Sequence, residues 1–151
     1  MNIEELLLKQ RTEILQDALV AMERSHLAHY EQSGEEFTRT RLAELFDLVL
    51  STLRTRQLGP VAQYCDELAQ QRFEAGFGIS EVQTAFNVME EVMWSRAVDN
   101  IQPAELAEAI GLLSTVLGVA KDELARRYVS LASQRHVPTL DLSALFAGIE
   151  N

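Results

Sequence analysis

Phe73-Glu-Ala-Gly-Phe-Gly-Ile-Ser-Glu-Val-Gln-Thr-Ala-Phe-Asn-Val-Met-Glu-Glu-Val-Met-Trp94 contains, without a gap, the end of one helix, a turn and the start of the next. Gly76 and Gly78 can take the left-handed conformation that closes a helix, because neither carries a Cβ to clash with the backbone. Ser80 has the chemistry of an N-cap, and Gln83, three residues on, can return a side-chain bond to the backbone N–H of the cap. Beyond the turn, Val82, Phe86, Met89, Met93 and Ala97 fall on one helical face, with Trp94 and Val98 broadening the stripe. The stretch predicts a sharp corner between two helices.

Helical periodicity continues in both directions. A first helix is expected from about Ile3 to Met22, with Leu7, Ile14, Ala18 and Ala21 on one side and Leu8, Leu15, Leu19 and Met22 beside them. Ser33-Gly-Glu-Glu36 reads as a second capping box, opening a helix through Leu42, Leu45, Phe46, Val49 and Leu53. Gly59-Pro60 breaks the chain before a helix carrying Ala62, Cys65, Ala69 and Phe73 to the glycine corner. After Pro103 only Gly111 and Gly118 interrupt the pattern as far as Gln134, and Pro138 ends it. No stretch alternates as a strand would, so the class is all-α: about five helices with a long C-terminal one. The expected organisation is a helical domain over 1–136 and a tail or linker over 137–151, where Thr139 to Asn151 is apolar enough for a short docking helix and serves equally as a linker stump.

At 151 residues the chain has the size of one domain. The 23 acidic against 13 basic residues give a net charge of −10, which repels phosphate backbones and anionic lipid. Neither nucleic acid nor membrane is expected as a partner. The arginines at 39–41, 54–56 and 126–127 are separated by apolar positions and read as solvated helix faces. The acidic start Met-Asn-Ile-Glu-Glu is unlike a secretory signal, and no apolar run looks long enough to span a bilayer. With one cysteine, Cys65, on a face shared with Val61 and Leu68, the expectation is a buried structural thiol in a cytoplasmic protein.

Arg72, Gly76, Phe77, Ile79, Ser80, Glu81, Val82, Ala85, Phe86, Glu90 and Trp94 together resemble the signature of the amino-terminal sensor domain of stressosome proteins, the RsbR-type co-antagonist family. The similarity extends over roughly residues 3–134. It implies a globin-like helical domain without haem, usually dimeric, that passes a signal to an attached or partner module. The family's domain normally precedes an output domain, and the resemblance implies a regulatory protein partner or output domain. The implied role is a non-enzymatic sensor and interaction domain in bacterial stress or signal regulation; the alternative is a histidine phosphotransfer or metal-binding bundle.

The residues themselves offer little catalysis. Glu23-Arg-Ser-His26 has the spacing of one arm of a di-iron site, but the second Glu-x-x-His is missing. His26 and His29 stand one turn apart at the end of the first helix, where a surface histidine is the simpler account. Neither His26 nor His136 has the following lysine and glycine of a phosphotransfer histidine. No glycine-flanked serine elbow or phosphate-cradling loop occurs. Residues 36–134 contain no histidine, which argues against a haem, and no cofactor is expected.

Phe46, Tyr64, Phe73, Phe77, Phe86 and Trp94 lie near the centre of the chain; Phe73, Phe77, Phe86 and Trp94 are read as core or as the wall of a ligand pocket. Gly111, Ser114 and Gly118 form a small-residue stripe suited to a close helix crossing or the floor of a small cavity. The helix from Pro103 would be a rod of roughly 48 Å, longer than the roughly 38 Å diameter of a compact domain of this length. Leu106, Ile110, Leu113, Leu117, Ala120, Leu124 and Leu131 keep a spacing of four and three, while Ala109, Leu112, Val116 and Val119 supply a second apolar face. A homodimer is expected, with Leu106, Leu112, Leu113, Val116 and Val119 as interface candidates.

Overall fold

The stripe of Val82, Phe86, Met89, Met93 and Ala97 is buried in full on α6 (Ile79–Asn100), so the helical period read from the sequence is the one the core uses. A computed structural model describes residues 1–136, and all the regular structure among them is helical. Along the chain come α1 (Ile3–Lys9), α2 (Arg11–Arg24), α3 (Ala28–Ser33), α4 (Glu35–Thr55) and α5 (Gly59–Glu74), followed by α6 and α7 (Pro103–His136). The proposed tail over 137–151 lies outside the described residues.

Two layers enclose the core. α7 packs along α5 and α6 and touches α4, while α2 lies across α6 and α4 on the other side. Phe46 and Phe86, with Leu113, Leu117 and Leu124 of α7, are among the largest fully buried side chains. Pro60 sits in the first turn of α5, where its missing N–H would have no helical partner anyway.

Three boundaries differ from expectation. The first helix is two: Gln10 leaves helical geometry between α1 and α2, and its side chain bonds both Arg96 (3.2 Å) and Asn100 (3.2 Å) near the end of α6, which fixes the break. α3 is an additional short helix, and Ser33 belongs to it. Its hydroxyl donates to the carbonyl of His29 (2.8 Å) instead of capping α4, which starts from Gly34 at φ +94°. A capping serine needs extended backbone, whereas Ser33 is helical with its hydroxyl turned back into α3.

Trp94, read as core, is 41% exposed, and Val98, one turn further on, is 54% exposed. Each residue of a helix turns about 100°, so Trp94 stands at the edge of the stripe centred on Met89 and Met93, and Val98 lies further round. On α7 the opposite correction applies. Leu113 and Val116, offered as interface residues, are buried in the chain's own core; Leu106, Leu112 and Val119 are half-buried.

The reading that no apolar run could span a bilayer also needs correcting. Pro103–Gln134 is long and apolar enough by length and composition, since residues 109–120 carry no charge. Within that stretch Ala109, Leu113, Val116, Leu117 and Ala120 are buried in the core, and α7 packs on α5 and α6.

Phe86→Ala is expected to cost about 3–5 kcal/mol by leaving a cavity in the core. Trp94→Ala should cost clearly less within the monomer, because the indole is already 41% exposed. Urea unfolding of both variants provides the comparison.

Candidate functional site

The corner between α5 and α6 is built by three adjoining devices. Gly76, at φ +87°, closes α5. The N–H of Phe77 donates to the carbonyl of Arg72 (2.9 Å) and that of Gly76 to the carbonyl of Phe73 (3.1 Å), the paired bonds of a Schellman motif. Gly78 is extended, at φ −71° and ψ 148°, so of the two glycines only Gly76 uses the left-handed freedom expected of both.

The start of α6 is capped by Glu81 and not by Ser80. The Glu81 carboxylate accepts from the N–H of Gly78 (3.1 Å), while Ser80 lies inside the first turn with its side chain exposed. Gln83 is consequently no member of a capping box: the cap falls two residues earlier, and the acid three residues on from Gly78 is Glu81. The same carboxylate accepts from the backbone N–H of His29 (3.0 Å) and meets His29 Nδ1 at 2.6 Å. One side chain thus joins α3 to the corner across 52 residues of sequence. Burial raises the Glu81 pKa, but the N–H groups of Gly78 and His29 and the His29 ring more than offset it, leaving the carboxyl below its ordinary value.

Aromatic rings surround this joint. Phe77 meets Tyr30 edge-on at 5.0 Å, Phe37 at 6.0 Å and the His29 ring at 5.2 Å. Phe73 packs edge-on against Tyr128 at 5.7 Å, and the Tyr128 hydroxyl donates to the carbonyl of Phe77 (3.1 Å), which ties α7 to the turn. Of the four aromatic candidates, Phe73, Phe77 and Phe86 line the interior and Trp94 does not.

A second feature is the outer face of α6, a shallow groove bordered by Asn87, Glu90, Glu91, Trp94 and Val98. Lys121 of α7 closes one flank, with Nζ 2.7 Å from Glu90 and 3.0 Å from Asn87.

The remaining titratable residues have other surroundings. His26 is exposed, takes φ +49° and meets Glu31 at 3.1 Å. Burial, followed by the nearby charge of Glu123, pushes the Cys65 thiol up to about 12, so it stays protonated and unreactive. Among the described residues no three His, Cys, Asp or Glu side chains gather as metal ligands would.

The sequence reading missed the His29–Glu81 joint and the burial of Arg72. A signal for Arg72 was present: it continues the spacing of Val61, Cys65 and Leu68 onto the buried face of α5. Nothing local pairs His29 with Glu81.

The model of the family described as the RsbT co-antagonist protein rsbRD N-terminal domain matches residues 12–137, and the chain belongs to that family, a group of stress-signalling regulatory domains. The match takes in α2 to α7 and leaves out α1. No curated protein and no solved structure matches the chain.

Gly76→Ala should cost about 1–2 kcal/mol, because a Cβ is strained in left-handed backbone even where space is open. Glu81→Gln tests the cap through pH. A depressed folded-state pKa contributes stability that is present above the unfolded value, about pH 4.3, and lost as pH falls through the folded one. The stability difference between wild type and Glu81→Gln, from urea unfolding at a series of pH values, should therefore shrink on acidification below about pH 4.3.

Proposed function

We propose that this chain is a non-enzymatic sensing and protein-interaction domain of bacterial stress regulation, working in the cytoplasm as a homodimer that engages a regulatory partner or an output domain. The family match over residues 12–137 carries this reading. A globin-like arrangement without haem belongs to the same proposal, as does a domain over 1–136 followed by a tail or linker over 137–151.

The dimer seam is assigned to α6. Trp94 and Val98 form an exposed apolar pair one turn apart, whereas Leu113 and Val116 already serve the internal core. An indole left in water beside a second large apolar side chain has the composition of an interface centre, and the polar Asn87, Glu90 and Glu91 have that of its rim.

Sedimentation of the wild type at tens of micromolar should report a dimer, with Trp94→Ala combined with Val98→Glu giving a folded monomer. Leu113→Asp should instead unfold the chain. A wild type that sediments as a monomer would exclude the homodimer, and a dimer indifferent to the double substitution would place the seam elsewhere.

A further inference from the structure

Arg72 is 4% exposed, and among the described residues it forms no ion pair. Its guanidinium carbon lies 5.0 Å from the centre of the Phe37 ring and 5.5 Å from that of Phe77. The Tyr30 hydroxyl is its hydrogen-bonding neighbour. These contacts soften the loss of water without neutralising the charge. Its Nε–H, sealed from solvent, has no acceptor. An ionised group in this state is costly, and buried charges are ordinarily paired.

Arg41 stands nearby, half-buried and paired with Glu44. Its guanidinium carbon is also 5.0 Å from the centre of the Phe37 ring, so the two cations stand no further apart than twice that distance. Arg41 donates to Glu44 (2.8 Å), yet its own buried Nε–H is likewise without an acceptor. Tyr64 donates to the other oxygen of Glu44 at 3.4 Å. Glu44 is taken by Arg41, and Glu81, the other carboxylate near Tyr30, is taken by His29 and Gly78, so neither pairs with Arg72.

Both arginines line a single small cavity between α3, α4, α5 and α6, together with Tyr30, Tyr64, Leu45 and Phe86. Its volume, about 20 Å³, is of the order that holds one water-sized particle. A water would supply an acceptor and leave the charge; a monovalent anion of that size does both. Such an ion would sit among charged N–H donors and phenolic hydroxyls with apolar walls behind it, a setting that favours a weakly hydrated ion over a strongly hydrated one.

We propose that this cavity is a binding site for one small monovalent anion of halide size, held by Arg72 and Arg41. The ion completes the charge balance at the joint of α3, α4, α5 and α6, so its binding stabilises the domain. The site is separate from the Trp94 face and does not depend on the oligomeric state.

The test is thermal unfolding of the full chain in sodium bromide against sodium gluconate, too large for the cavity, at equal ionic strength. Bromide should raise the midpoint saturably, since it binds the folded state. Arg72→Met, which keeps the length of the side chain and removes the charge, should weaken the apparent affinity by at least about tenfold. Identical behaviour in the two salts overturns the proposal, and so does a bromide effect that Arg72→Met leaves intact, which would mean an adventitious ion only. Should Arg72→Met fail to fold, wild-type crystals grown in bromide decide: an anomalous peak between Arg72 and Arg41 supports the site, and a water there, or bromide at the surface alone, overturns it.

Discussion

A guanidinium withdrawn from water has to be held by everything around it, and Arg72 is held by most of the fold. Its backbone carbonyl accepts the bond that closes α5, and its side chain lies against Phe37 of α4 and Phe77 of the turn, close to Tyr30 of α3. Moving any of these three elements would break ring contacts and leave the cation less compensated. The relative placement of α3, α4 and α5 is therefore fixed more tightly than apolar packing alone requires, because apolar contacts tolerate sliding and a buried charge does not.

Glu81 acts on the same joint from the other side. Three bonds converge on its carboxylate, one from the turn and two from His29, so the start of α6 and the start of α3 share one anion. Tyr128 adds α7 through the carbonyl of Phe77. The corner is in this way a meeting point for five helices, and a disturbance at one of them reaches the others through short polar contacts. The outer face of α6, which carries Trp94, belongs to the helix that starts at this corner.

Much of the architecture was legible from residue spacing. The apolar stripes on α4 and α6, Pro60 in the first turn of α5, the corner at Gly76 and the uninterrupted α7 follow from a period of 3.6 residues and from the local chemistry of proline and glycine, which act within a turn or two of the chain. The family signature likewise lies in one continuous stretch, and the match over 12–137 agrees with it.

What the sequence determined by itself is which residues are helical and which face of each helix is apolar, because both are set by neighbours close along the chain. Only tertiary structure decided how those faces were used. Leu113 and Val116 were as apolar as any interface residue, and their burial depended on where α5 and α6 happened to lie; Trp94 belonged to the stripe by composition and fell outside it by angle. The carboxylate that caps α6 also bonds a histidine 52 residues away. Pairings of that kind join groups far apart in sequence, and no local pattern encodes them, since their energy appears only when the helices have packed.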